Sequence, residues 1–209
     1  MRQLFKKGFF LLLIMVVFNS GRSFAQFEQK LTLQFSGGPS FIVSDHSIQP
    51  EHFLTEEIYD VGMLLNGGVQ YNFSQKFSLI GLIMYGTYPT TSESLQDGKY
   101  YHLGLGVSAK YKFFPSSKIR PYLLYGFSLC FVEQNVKTFS GELIDYKQPT
   151  LPGLITGLGL EYNLNDNFTL FIQSGFNKVL PKENDGLPPT ESVYGLIGLN
   201  INMFKSKSL

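Results

Sequence analysis

The chain carries three histidines and a single cysteine, so the side chains able to act as base, nucleophile or soft metal ligand are few. His102 lies among alternating residues, where it can point to an interior. A hydrolase built on it needs a serine within hydrogen-bond reach, for which Ser94 and Ser192 are the candidates, and an acid to orient the ring. No motif joins these residues, and catalysis is not expected. Asp45, His46, Glu51, His52, Glu56 and Glu57 form a second group of chemically capable types. They lack a recognised ligand spacing and read as a solvated loop, so no metal or cofactor is expected. A third group, Lys110, Lys112, Arg120 and Glu161, combines with Gln34, Gln70 and Gln173 as a charged network that either fills an interior or lines a narrow path, since buried charges need partners. Cys130 has no partner for a disulfide and reads as a small packing residue.

These residues need a scaffold, and the N-terminus says where it resides. Arg2, Lys6 and Lys7 precede an apolar run from Gly8 to Phe18, followed by Ser23-Phe24-Ala25, the pattern of a secretory signal occupying residues 1–25. That run is too short for the ~20 residues of a membrane-spanning helix, and no later segment supplies a longer one. Removing residues 1–25 takes four basic and no acidic residues from totals of 17 and 16, leaving a formal net charge of −3. Such a balance offers no nucleic-acid surface. No cysteine lies near Ala25, so none is expected at the start of the processed chain to carry a lipid anchor.

From Gln26 onward, period-two alternation rich in Leu, Ile, Val, Tyr and Phe predicts eight strands in one domain, residues 26–209. Their spans are Lys30 to Val43, Tyr59 to Phe73, Lys76 to Tyr88, Lys99 to Phe114, Ile119 to Glu133, Leu151 to Leu164, Asn167 to Val179 and Glu191 to Phe204. Tight turns are expected at Ser74-Gln75, Pro115 to Lys118 and Asn165-Asp166. Longer polar connections are expected at Ser44 to Ile58, Pro89 to Gly98, Gln134 to Thr150 and Leu180 to Thr190. The alternation of long and short connections predicts an antiparallel up-and-down meander that closes into a barrel.

Residue size assigns the two faces. In the fourth strand Tyr101, Leu103, Leu105, Val107, Ala109, Tyr111 and Phe113 oppose His102, Gly104, Gly106, Ser108, Lys110 and Lys112. The second and sixth strands repeat the division, with Asn66, Gly68, Gln70 and Asn72, then Gly157, Gly159, Glu161 and Asn163, on the small polar face. An eight-stranded barrel has room inside only for side chains, so the small face is inward and the bulky one outward. An apolar belt of that extent exceeds what water tolerates on a monomer, and the surrounding solvent is therefore lipid. As phased, no Asp, Glu, Lys or Arg falls on the apolar face, where one at the midplane would cost ~2–4 kcal/mol. The third strand departs from the pattern: Ile80, Leu82 and Met84 share the inward phase with Ser78 and Gly86, as an apolar interior patch or a phase-shifting bulge. Aromatics form two expected girdles, Tyr71, Phe73, Phe77, Tyr111, Phe113, Phe114, Tyr162 and Phe168 at the turns and Tyr85, Tyr88, Tyr100, Tyr101, Phe131 and Phe176 at the opposite end.

The segment Gly157-Leu158-Gly159-Leu160-Glu161-Tyr162-Asn163-Leu164, a tight turn, then Phe168-Thr169-Leu170, echoed by Gly67-Gly68-Val69-Gln70-Tyr71-Asn72-Phe73, resembles the small porin-like, OmpA/OmpX-like outer-membrane β-barrels, particularly the Bacteroidetes set. The resemblance covers the whole chain after the signal. It implies an integral place in a bacterial outer membrane among lipid and lipopolysaccharide, periplasmic termini and external long loops. It also implies a terminal strand read by the barrel-assembly machinery, with Phe204 as the signal residue although Ile197, Leu199, Ile201 and Met203 lie in the opposite phase. The expected role is a structural or surface-interaction barrel, or an accessory subunit of an outer-membrane complex. The alternatives are a narrow channel or transporter, and a lipid A-modifying acyl hydrolase or transferase using His102.

Overall fold

The computed structural model describes residues 31–43, 58–59, 61–92, 95–138, 143–180 and 190–203. The expected signal segment, Ser94, the loops at 44–57 and 181–189, and Phe204 lie outside these residues. The strands are β1 (Leu31–Ile42), β2 (Ile58–Tyr59), β3 (Gly62–Asn72), β4 (Phe77–Ser92), β5 (Leu95–Lys112), β6 (Ile119–Thr138), β7 (Leu143–Asn163), β8 (Phe168–Val179) and β9 (Thr190–Asn202). β2 and β3 both pair antiparallel with β4, Tyr59 opposite Thr90 and Met63 opposite Thr87, and so form one stave with a one-residue slip between them. The barrel therefore has eight staves. Every neighbouring pair is antiparallel, and β1 closes the ring by pairing with both β3 and β9.

Side-chain to backbone hydrogen bonds fix two of the tight turns. Ser74 Oγ accepts from the Phe77 amide at 3.0 Å, and Asn165 Oδ1 accepts from the amides of Asn167 and Phe168 at 2.9 and 3.0 Å. Both substitute a side-chain acceptor for a missing ladder carbonyl. At the third turn the Ser117 amide donates to the Phe114 carbonyl at 3.1 Å, with Pro115 in the position its fixed φ suits.

The opposite end differs from expectation. Pro89 to Gly98 and Gln134 to Thr150, read as loops, are mostly ladder: β4 and β5 pair as far as Ser92 and Leu95, and β6 and β7 as far as Lys137 and Leu143. Polar composition suggested loop, but a hairpin arm satisfies its backbone bonds across the ladder whatever its side chains. β6 and β7 run 20 and 21 residues against 12 for β1 and β8. A membrane-crossing strand needs ~9–11, so one side of the barrel stands well above the other. β8 pairs with β7 only up to Val179 opposite Gly153, so the first ten residues of β7 pair with β6 alone among the described strands.

The outward face is a continuous apolar band, with Phe127, Leu158 and Ile197 more than 60% exposed. It is not free of charge, contrary to the sequence phasing. Lys99, Glu133, Lys178 and Glu191 share the outward phase, and Lys178 pairs with Glu191 across β8 and β9 at 2.5 Å. Lys178 stands ten residues beyond Phe168 at the turns, a rise of about 25 Å for a strand tilted ~40°, which is the height of the apolar band. These charges mark the far rim.

Candidate functional site

The lumen gathers the polar residues singled out above, and it is filled in three layers. At the turn end, Lys110 and Lys112 project from β5, Arg120 from β6 and Glu161 from β7, with Arg120 directly opposite Glu161 in the ladder. Lys110 Nζ lies 2.5 Å from Glu161 Oε1, while Arg120 and Lys112 approach Oε2 at 3.2 and 3.5 Å. Lys110 and Glu161 are each 1% exposed. Lys110 also donates to Gln70 Oε1 at 3.3 Å and sits 4.2 Å from the centre of the Tyr122 ring, a cation over a π face. Asn200 Nδ2 donates to Glu161 Oε1 at 3.1 Å. Arg120 reaches Asn163 Oδ1 and, at 3.4 Å, Thr169 Oγ1. The sequence brought the four charges to one face. It placed Asn163 on the inward face but missed Asn200 and Thr169, whose inward phase is the signal that identifies them.

Gln173 belongs to a different chain of bonds. Tyr122 donates to Gln173 Oε1 at 3.0 Å, and Gln173 Nε2 donates to Tyr194 Oη at 3.2 Å. These two tyrosines join Phe171, Ile80, Met84 and Ile155 in a buried apolar cluster that forms the middle layer. The ambiguity of the third predicted strand resolves here: Ile80, Leu82 and Met84 keep the inward phase without a bulge and form part of this core. The expectation of an interior of small residues needs correction. Large rings do fit inside, each laid over a glycine of a neighbouring strand. A methyl group at Gly159 would lie 2.5 Å from the Tyr122 ring, and one at Gly198 would lie 2.2 Å from the Phe171 ring.

The far layer contains a second correction. Tyr88 and Tyr100, assigned to the outer girdle, are buried in the lumen, where they pack edge to face at 5.7 Å against each other and against Val132. Tyr88 Oη and Ser40 Oγ are 2.8 Å apart. Tyr85, Tyr101, Phe131 and Phe176 do face outward. His102 lies beneath this layer, 3% exposed, with no hydrogen-bond partner for Nε2 among the described residues. It shares with Ser192 and Asn177 the wall of a cavity of about 10 Å³, too small for a substrate. Cys130 is buried against Leu151 and Val179, with its sulfur 3.2 Å from Ser128 Oγ.

A closed meander with an apolar exterior and a lumen filled by side chains is a transmembrane β-barrel. The family model described as outer membrane protein beta-barrel domain matches residues 52–187, well over half of the chain, and the protein belongs to that family. It is an integral outer-membrane protein. Among solved structures, Neisserial surface protein A is 20% identical at a TM-score of 0.59, covering 83% of this chain and 97% of that one. Ail, the attachment invasion locus protein of Yersinia pestis, seen with the heparin analogue sucrose octasulfate, is 15% identical at 0.53, covering 84% and 99%. OprG from Pseudomonas aeruginosa is 15% identical at 0.51, covering 85% and 98%. No curated protein sequence gives a significant match. At these identities the likeness is one of fold.

Proposed function

We propose that this barrel is a plugged platform that presents a surface for interaction, by itself or as an accessory subunit of a larger outer-membrane complex, and that it neither conducts nor catalyses. The closed lumen carries this reading. Charge cluster, apolar core and tyrosine cap lie in series, and the cavity beside His102 beneath the cap is about 10 Å³. A transporter needs a continuous path through the lumen, and an acyl hydrolase needs a serine bonded to His102. The four tall strands β4 to β7 give the platform its display surface, and with short turns placed in the periplasm they rise on the external side, among lipopolysaccharide. Under the same reading the barrel-assembly machinery acts on the C-terminal strand.

The deciding experiment is planar-bilayer conductance of the refolded protein, with folding verified by its resistance to unfolding on unheated gels. The expected result is silence. Discrete, ion-selective openings would reverse the reading and make Lys110, Lys112 and Glu161 channel-lining residues.

A further inference from the structure

We propose that the turn-end mouth of the lumen is a binding site for a small oxyanion of the phosphate class, held between Lys112 and Arg120. The mouth is a cavity of about 370 Å³ with a polar wall that includes Lys112, Arg120, Asn72, Asn200, Asn202 and Thr32. This volume falls at the small end of the ~300–1,000 Å³ typical of ligand sites.

Charge balance selects the ligand. Three cations converge on one carboxylate among the described residues. The 2.5 Å contact of Lys110 with Glu161 Oε1 uses one carboxylate oxygen, and Arg120 and Lys112 share the other. The cluster thus carries an excess of two positive charges in a site where unbalanced charge is costly, and it repels cations. Lys112 is buried, and its one ion-pair contact among the described residues is the carboxylate oxygen at 3.5 Å. Its remaining donor capacity faces the cavity. Arg120 Nε is also buried without a hydrogen-bond partner. Arg120 Nε beside the Lys112 ammonium is a donor pair that a tetrahedral oxyanion accepts from, while Asn72, Asn200 and Asn202, whose amide nitrogens already donate to Thr32, Glu161 and the Asp166 carbonyl, form the polar surround.

Free phosphate and the headgroup of a lipid at the same end present the same chemistry. The test uses the refolded full chain in octyl glucoside, which carries no phosphate. Inorganic phosphate is titrated first and dihexanoyl phosphatidylglycerol second, with binding followed by calorimetry and by the amide resonances of Gln75 and Ser116 at the mouth. Saturable phosphate binding that shifts these amides is the expected result. Lys112→Gln or Arg120→Gln should raise the Kd about tenfold or more, the loss expected for one charge-assisted contact. Lys118→Gln, in the exposed turn, should leave it unchanged. Saturation by the lipid alone, with the same sensitivity to Lys112, would support the site and assign it to a headgroup. Absence of saturable binding of either compound to the folded wild type would overturn the proposal, as would binding indifferent to both substitutions. The amide shifts of the wild type decide the matter even if a variant fails to refold.

Discussion

Glu161 faces Lys110, Lys112 and Arg120, and this asymmetry sets the response of each residue to substitution. Glu161→Gln leaves the buried Lys110 and Lys112 and the partly buried Arg120 without their carboxylate and is expected to cost about 3–5 kcal/mol, the range for breaking a buried pair from one side. Lys112→Gln instead reduces the positive excess, so its cost should be well below that of Glu161→Gln. Urea unfolding followed by circular dichroism checks the order of the two, and a Lys112 variant weaker than the Glu161 variant would contradict it. The chain has no tryptophan to serve as a probe. Packing at single residues is equally exacting. Gly159→Val would drive a side chain into the Tyr122 ring and the Ile172 carbonyl, both 2.5 Å from the position of its Cβ. Overpacking of this kind costs ~1–3 kcal/mol or more, and the same unfolding assay should register it. At this scale the inward phase of the charged residues was legible. Their choice of partners was not, because partners come from strands that are distant in sequence.

At the scale of the strand, one residue of shift exchanges lipid for lumen. Leu105 faces outward and Ser108 is fully buried inside, so a lipid-phase thiol reagent should label a cysteine at Leu105 and spare one at Ser108. Ser108 is the better inward probe than Gly159, where any side chain collides. The same face carries a gradient of cost. Leu105→Arg lies within the apolar band and should cost ~2–4 kcal/mol, whereas Lys178→Leu at the rim should change stability by only ~0–1 kcal/mol apart from the loss of its contact with Glu191. Equal effects of the two in bilayer unfolding would displace the rim from where Lys178 and Glu191 mark it. Alternation in β5 and β7 was readable because one face is apolar and the other polar. The upper arms of β4 to β7 were read as loops because their polar sequences lack that contrast.

For the molecule as a whole, the three lumen layers act in series. Replacing Tyr88 and Tyr100 together with alanine removes the far cap but leaves Ile80, Met84, Tyr122, Phe171 and Tyr194 in place below it. The double variant should therefore remain silent in planar bilayers. Openings in that variant would show that the middle layer does not seal, and would move the proposed function toward a gated channel. Closure of the ring also explains why stability is shared: each stave is held on both sides along the barrel, and single paired edges among the described strands occur at upper ends, as in β2, which pairs with β4 alone, and in the first residues of β7.

The sequence by itself determined the number of staves, their antiparallel order and the face that β3, β5 and β7 present to lipid. All of these follow from local alternation and from turn chemistry at Ser74, Pro115 and Asn165. Tertiary structure alone decided that Tyr88 and Tyr100 cap the lumen, that Tyr122 and Phe171 rest on Gly159 and Gly198, and that Gln173 bonds tyrosines rather than the charges. The physical reason is that filling a barrel is a joint property of staves brought together by register, and rings such as those of Tyr122 and Phe171 enter where the neighbouring stave offers a glycine.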